Sequence, residues 1–164
     1  MLFRSFHANR GANGIDGFTS TVLGIAVAHA EVDGGPTVAL TGDLCFLHDG
    51  NGLLGAVRRG IDAVFVVVDN DGGSVFSFLP QAREVDADTF RILFGTPHGL
   101  DLAAVGAAFG VATEVATTVD ELRAALARPG TTITVVRTGR TDNVEMHDRI
   151  NTAIVDAVDA ALSA

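Results

Sequence analysis

"TGDLCFLHDG" (Thr41–Gly50) and "VVVDNDGGSVFSF" (Val66–Phe78) decide how this chain is read. In each, polar residues follow directly on an apolar, β-branched run: Asp43 comes just after Thr37–Leu40, and the cluster Asp69-Asn70-Asp71-Gly72-Gly73 just after Ala63–Val68. Short runs that are apolar at consecutive positions and closed by turn residues read as strands buried on both faces. Two further strands are expected at Thr113–Val115 and Thr132–Val136, and helical patterns fill Thr19–Ala30, Leu53–Arg59, Leu102–Phe109, Val119–Ala127 and His147–Leu162. Thr118 and Glu121 have capping-box spacing, Pro129-Gly130 stops that helix, and Asp101 caps the helix that Gly110 ends. The last helix carries Ile150, Ile154, Val155, Val158 and Leu162 on one face, and Gln81–Pro97 is the longest loop-like stretch.

Strand alternating with helix predicts an α/β fold: a doubly wound, mainly parallel sheet flanked by helices on both faces, joined by right-handed crossovers. Such sheets bind ligands beyond the carboxyl ends of their strands, where loops diverge and helix N-termini point their N–H groups inward. Both opening stretches belong to such ends.

Composition narrows the chemistry. At 164 residues with 48% hydrophobic residues, the chain is long enough for one domain with a core of its own. Its longest apolar run, Ala63–Val68, is far below the roughly 20 residues of a membrane span, and no secretory signal is recognisable. Cys45 is the single cysteine, which excludes an internal disulfide framework or a cysteine-based zinc site and fits a reducing compartment, the cytoplasm. The net charge of -9 comes from 20 acidic residues against 11 arginines with no lysine. No nucleic-acid partner is expected for so acidic a chain. A phosphorylated ligand would need a metal ion, backbone N–H groups or a few placed arginines.

Asp43 and Asn70 stand 27 residues apart, about one strand-helix-strand unit, so they meet at one sheet edge if their strands are neighbours. A carboxylate, a carboxamide oxygen and the Gly72 carbonyl are hard oxygen donors suited to Mg²⁺. Gly72 and Gly73 leave room for close approach of a diphosphate. An EF-hand starting at Asp69 fails at its sixth and twelfth places, which are Ser74 and Pro80. "GANGIDG" (Gly11–Gly17) has the wrong glycine spacing for a dinucleotide fingerprint. A plainer reading stays open, in which Asp43 caps a helix and the cluster is an ordinary turn.

The pair "GDL" (Gly42–Leu44) and "DNDGG" (Asp69–Gly73) resembles the diphosphate-binding motif of thiamine-diphosphate enzymes. "ANRGANGIDG" (Ala8–Gly17), "GDLCFLHDGNGLL" (Gly42–Leu54), "NDGGSVFSFLPQ" (Asn70–Gln81) and "FGTPHGLD" (Phe94–Asp101) resemble, more narrowly, the C-terminal cofactor domain of the 2-succinyl-5-enolpyruvyl-6-hydroxy-3-cyclohexene-1-carboxylate synthase family of menaquinone biosynthesis. The resemblance implies the thiamin diphosphate-binding fold over Phe6–Ala164, with thiamine diphosphate and Mg²⁺ or Mn²⁺ as cofactors. It implies that Asp43, Asn70 and the Gly72 carbonyl hold the metal, and that Ile15, Gly42, Leu44, Cys45 and Gly73 contact the cofactor. Arg10, Val75 and Phe76 would face substrate, Arg10 reading a carboxylate with its planar fork.

Members of that family decarboxylate 2-oxoglutarate and add the resulting four-carbon unit to isochorismate. Full-length members are expected to form homodimers or homotetramers, and they take an activating glutamate from a pyrimidine-binding domain of the same enzyme. None of Glu31, Glu84, Glu114, Glu121 or Glu145 stands in a matching motif, so no catalytic residue is assigned here and the chain alone is expected to be inactive. Met1–Ser5 has no counterpart in the family and reads as a non-native start.

Cys45, Val75 and Asp69 depart from the family pattern, where serine, isoleucine and an uncharged residue are usual; Asp69 adds negative charge beside the metal. Two alternatives remain: another thiamine-dependent 2-oxoacid decarboxylase or synthase, and a non-catalytic diphosphate-binding module. Of the histidines at 7, 29, 48, 98 and 147, only His48 follows Asp43 closely enough to border a ligand crevice. Cys45 reads as a small buried residue; Phe76, Phe78 and Leu79 read as core residues, or, if they form an exposed apolar patch, as a surface docking against another domain or subunit.

Overall fold

A computed structural model describes residues 5–9, 14–32 and 34–163. The expectation for Met1–Ser5 falls almost wholly outside them, and so does that for Arg10. The chain divides into two compact units: residues up to Asp69 together with Leu100–Arg137, and Asn70–Gly99 together with the residues from Thr138 onward.

The first unit is built on four parallel strands, β1 (Thr37–Gly42), β2 (Ala63–Asp69), β3 (Ala112–Val115) and β4 (Thr131–Arg137), in the order β1-β2-β4-β3. Its helices are α1 (Phe18–Glu31), α2 (Asp43–His48), α5 (Leu102–Ala108) and α6 (Val119–Leu126). Alternate strand residues divide between the two faces. Ala39, Phe65, Val67, Ile133 and Val135 join Val22 and Leu23 of α1, Phe46 of α2 and Leu102 of α5 in one continuous core. On the opposite face Val64, Val66, Thr132 and Thr134 are buried, whereas Val38 and Leu40 of β1 are exposed. The doubly wound parallel α/β expectation is met.

The end signals work as their chemistry requires. Asp101 Oδ1 accepts from the Ala103 N–H at 3.0 Å. Thr118 Oγ1 accepts from the Glu121 N–H at 3.2 Å, and Glu121 Oε2 accepts from the Thr118 N–H at 3.1 Å, closing the box. Gly106 lets α5 approach the sheet: a Cβ there would collide with Thr113 Oγ1 and lie 2.8 Å from Ile133 Cδ1.

The second unit holds α3 (Gln81–Glu84), α4 (Ala87–Phe90), a π-helical turn at Arg91–Gly95 and the long α7 (Arg140–Leu162). Three expectations are corrected. Gln81–Pro97 is largely helical, because Asp86 caps α4 through the Thr89 N–H at 2.9 Å. Leu53–Arg59 is not one helix but the end of a 3₁₀ turn, Gly50–Leu53, and the turn Val57–Arg59, since Gly55 and Gly60 both take positive φ. The last helix begins at Arg140 rather than His147, in a polar stretch that offers no apolar periodicity. Its face of Ile150, Ile154, Val155, Val158 and Leu162 is exposed.

Two outcomes follow for the first unit. Gly106→Ala should cost about 1–3 kcal/mol through overpacking, read as a lower urea midpoint. Hydrogen bonds from the Thr117 N–H at 2.7 Å, the Thr117 hydroxyl at 2.8 Å and the Thr118 N–H hold the Glu121 carboxyl below its ordinary value. A depressed folded-state value stabilises the fold above the unfolded-state pKa and loses that effect as pH falls through the folded-state value. The urea midpoint of the native chain should therefore exceed that of Glu121→Gln near neutrality, the gap closing in acid.

Candidate functional site

The parallel register pairs Gly42 with Val68 and Asp69 with Arg137. Gly42 leaves β1 in extended conformation and Asp43 opens α2, with Asp43 Oδ1 accepting the Leu44 N–H at 2.7 Å. Asp43 is 2% exposed. β2 ends on Asp69, whose side chain is 11% exposed and lies 3.8 Å from Arg137 Nε. Carboxylate oxygens of Asp43 and Asp69 lie within 4.8 Å of one another. Neighbouring strands have thus brought two acidic side chains together at one carboxyl edge. Leu44 and Cys45 are half-buried on α2.

On the N-terminal side of α1, the turn Gly14–Gly17 is held by Asn9 Nδ2, which donates to the Gly14 carbonyl at 2.7 Å. Ile15 in that turn is 40% exposed. His48, at the end of α2, places Nε2 3.8 Å from Asp16 Oδ1, so it borders this turn.

In the second unit, Asn70–Gly73 form a tight turn. Asp71 has φ 60° and Gly72 φ 122°, both in the left-handed region that favours glycine. Asp71 Oδ1 accepts the Gly99 N–H at 2.7 Å and lies 3.7 Å from His98 Nδ1. The Gly73 N–H donates to the Gly95 carbonyl at 2.8 Å. A Cβ on Gly72 would collide with the Gly95 carbonyl oxygen and lie 2.5 Å from that of Thr96; one on Gly73 would collide with the Phe94 carbonyl oxygen. The close approach that demands glycine is therefore made by the chain's own backbone. After the turn, Ser74–Phe78 form a 3₁₀ helix on which Val75 is 69% exposed, and Phe76, edge-on to Phe94, is 40% exposed.

Sequence reasoning missed two arginines here. Arg137 sits beside Asp69, which the ladder register explains only once β2 and β4 are known to pair. Arg140 Nε donates to the Asn70 carbonyl at 2.8 Å, and Nη2 donates to the Asp71 carbonyl. No short-range signal marks an arginine that reaches 70 residues back along the chain.

A parallel α/β sheet with an acid beyond one strand and a glycine turn beyond its neighbour has the layout of domains that take their ligands at the carboxyl edge. Residues 4–136 match the thiamine pyrophosphate enzyme, C-terminal TPP binding domain, and the chain belongs to that family. Among its relatives, a protein of Chloroflexus aurantiacus named 2-succinyl-5-enolpyruvyl-6-hydroxy-3-cyclohexene-1-carboxylate synthase is 47% identical over 87% of this chain and 24% of its own length. A Saccharopolyspora erythraea protein of the same name is 43% identical over 93% of this chain and 27% of its own. The chain spans about a quarter of the length of these curated relatives. In the crystal structure of benzoylformate decarboxylase from Polynucleobacter necessarius, the similarity reaches a TM-score of 0.63 at 28% identity, covering 79% of this chain and 24% of that one.

Gly72→Ala should destabilise the turn by more than about 1 kcal/mol, since it adds a Cβ both at positive φ and against packed carbonyls. Faster amide exchange at Gly73 and Ser74 than in the native chain checks this.

Proposed function

We propose that this chain is the diphosphate-binding part of a 2-succinyl-5-enolpyruvyl-6-hydroxy-3-cyclohexene-1-carboxylate synthase, a transferase of menaquinone biosynthesis acting in the cytoplasm on 2-oxoglutarate and isochorismate. The observation that carries the reading is the pairing of β1 with β2, which sets Asp43 against Asp69 directly before Asn70. Two acidic side chains this close and this little exposed suit a divalent cation: oxygen donors match Mg²⁺ or Mn²⁺, and the ion offsets charge that burial makes costly. The residues present therefore fit the metal that the family implies. In this reading Asp43, Asn70 and the Gly72 carbonyl hold it, and Asp69 adds charge beside them.

Gly42, Leu44, Cys45, Gly73 and Ile15 contact the cofactor, while Val75 and Phe76, both exposed, face substrate together with Arg10. When bound, thiamine diphosphate supplies the carbon nucleophile and electron sink that decarboxylation of a 2-oxo acid requires. What this chain contributes is binding, orientation and charge. The activating glutamate comes from a pyrimidine-binding domain, so this chain alone does not turn over, and the assembled enzyme is a homo-oligomer. No helix among the described residues is long and apolar enough to cross a membrane.

A second reading, another thiamine-dependent 2-oxoacid decarboxylase, is favoured by the similarity to benzoylformate decarboxylase. Product formed from 2-oxoglutarate and isochorismate, with a complementing pyrimidine-binding half, separates the two.

Thiamine diphosphate with Mg²⁺ should raise the thermal midpoint of the chain. At a hundredfold excess over Kd the gain is about 2.7 kcal/mol. EDTA should reverse the rise, and Asp43→Ala should abolish it. A rise that survives both changes rules the proposed metal site out.

A further inference from the structure

Arg140 lies beyond the segment matched to the family and is half-buried. It is the first residue of α7, with Gly139 before it in extended conformation. Its planar guanidinium donates to two successive carbonyls, those of Asn70 and Asp71. For one group to serve both, the two peptide planes must turn toward the same side. The two planes meet at the Asp71 Cα, and the chain turns them by putting Asp71 at φ 60°. Aspartate tolerates the left-handed region better than most residues, and Asp71 is held in it by the Gly99 N–H on its carboxylate and by Arg140 on its carbonyl. The glycines on either side of the fork leave space for it: a Cβ on Gly72 would lie 3.0 Å from Nη2, and one on Gly95 2.7 Å from Nη1.

We propose that Arg140 is a positioning residue for the cation site: by fixing the Asn70–Gly72 backbone, it sets the direction of the Asn70 side chain and the Gly72 carbonyl. The inference rests on the reading in which those two groups hold a divalent ion. Arg140 acts through the turn and is not itself a ligand, since a guanidinium has no acceptor. Lysine cannot replace it fully, because a single ammonium lacks the planar fork that bridges two carbonyls.

The test uses the full chain with Mn²⁺ as the probe, its affinity read by paramagnetic resonance, and with amide exchange of the ion-free protein measured in parallel. Arg140→Ala should weaken Mn²⁺ binding about tenfold or more, in line with loss of a group that orients a ligand. Arg140→Lys should fall between it and the native chain. In both variants exchange should rise at Gly72, Gly73 and Ser74 while Val64–Val67 in β2 stay protected. Should Arg140→Ala unfold, Arg140→Lys decides. Native Mn²⁺ affinity in Arg140→Lys, or exchange that rises equally in β2, overturns the inference. Asp43→Ala is the control: if it leaves Mn²⁺ binding intact, or the native chain binds none, the cation reading fails and this inference fails with it. If Asp43→Ala abolishes binding while both Arg140 variants bind normally, only the role of Arg140 is lost.

Discussion

The parallel ladder between β1 and β2 is the constraint on which the first unit depends. Its register faces Gly42 with Val68 and fixes which side chains meet where both strands stop. Slipping the pairing by one residue would exchange Phe65 and Val67 with Val64 and Val66 between the two faces, and a valine cannot fill the place that Phe65 holds in the core. The same register that buries those two residues brings Asp43 to Asp69. Packing and chemistry at this edge are set by one choice, and Arg137, which faces Asp69 across the β2–β4 ladder, supplies part of the charge balance.

The second unit solves a different problem: it shapes a stretch of backbone without a sheet. Its turn at Asn70–Gly73 is fastened by the Asp71 carboxylate to the Gly99 N–H, by the Gly73 N–H to the Gly95 carbonyl, and by Arg140 to two carbonyls. Every one of these bonds joins residues distant in sequence. A turn secured this way keeps a shape that its own sequence only permits.

That difference explains what could be read in advance. Strands of consecutive apolar, β-branched residues announce themselves locally, and so do the Thr118–Glu121 box and the Asp101 cap, because the partners lie within a few residues. The spacing of Asp43 from the glycine cluster suggested neighbouring strands, and β1 does pair with β2. Arg140 escaped notice because its contacts are non-local. The start of α7 escaped because a polar, exposed helix has no apolar period to read, and α2 because six residues are too few to show one. Gly72 and Gly73 were legible as places of close approach, but the sequence does not say what approaches; the carbonyls of residues 94–96 do.

Among the described residues, β1 pairs with β2 alone, so its outer row of peptide groups is an open template for another strand. Val38 and Leu40 stand exposed along it, and the six residues of β1 carry no charge and no proline to discourage stacking. What opposes self-association is mutual repulsion from a net charge of -9. Its reach shrinks from about 10 Å in 0.1 M salt to about 3 Å in 1 M, and it vanishes near the isoelectric point of about 4.7. Concentrated salt or mild acid thus weakens the charge repulsion that guards an edge no strand among the described residues covers.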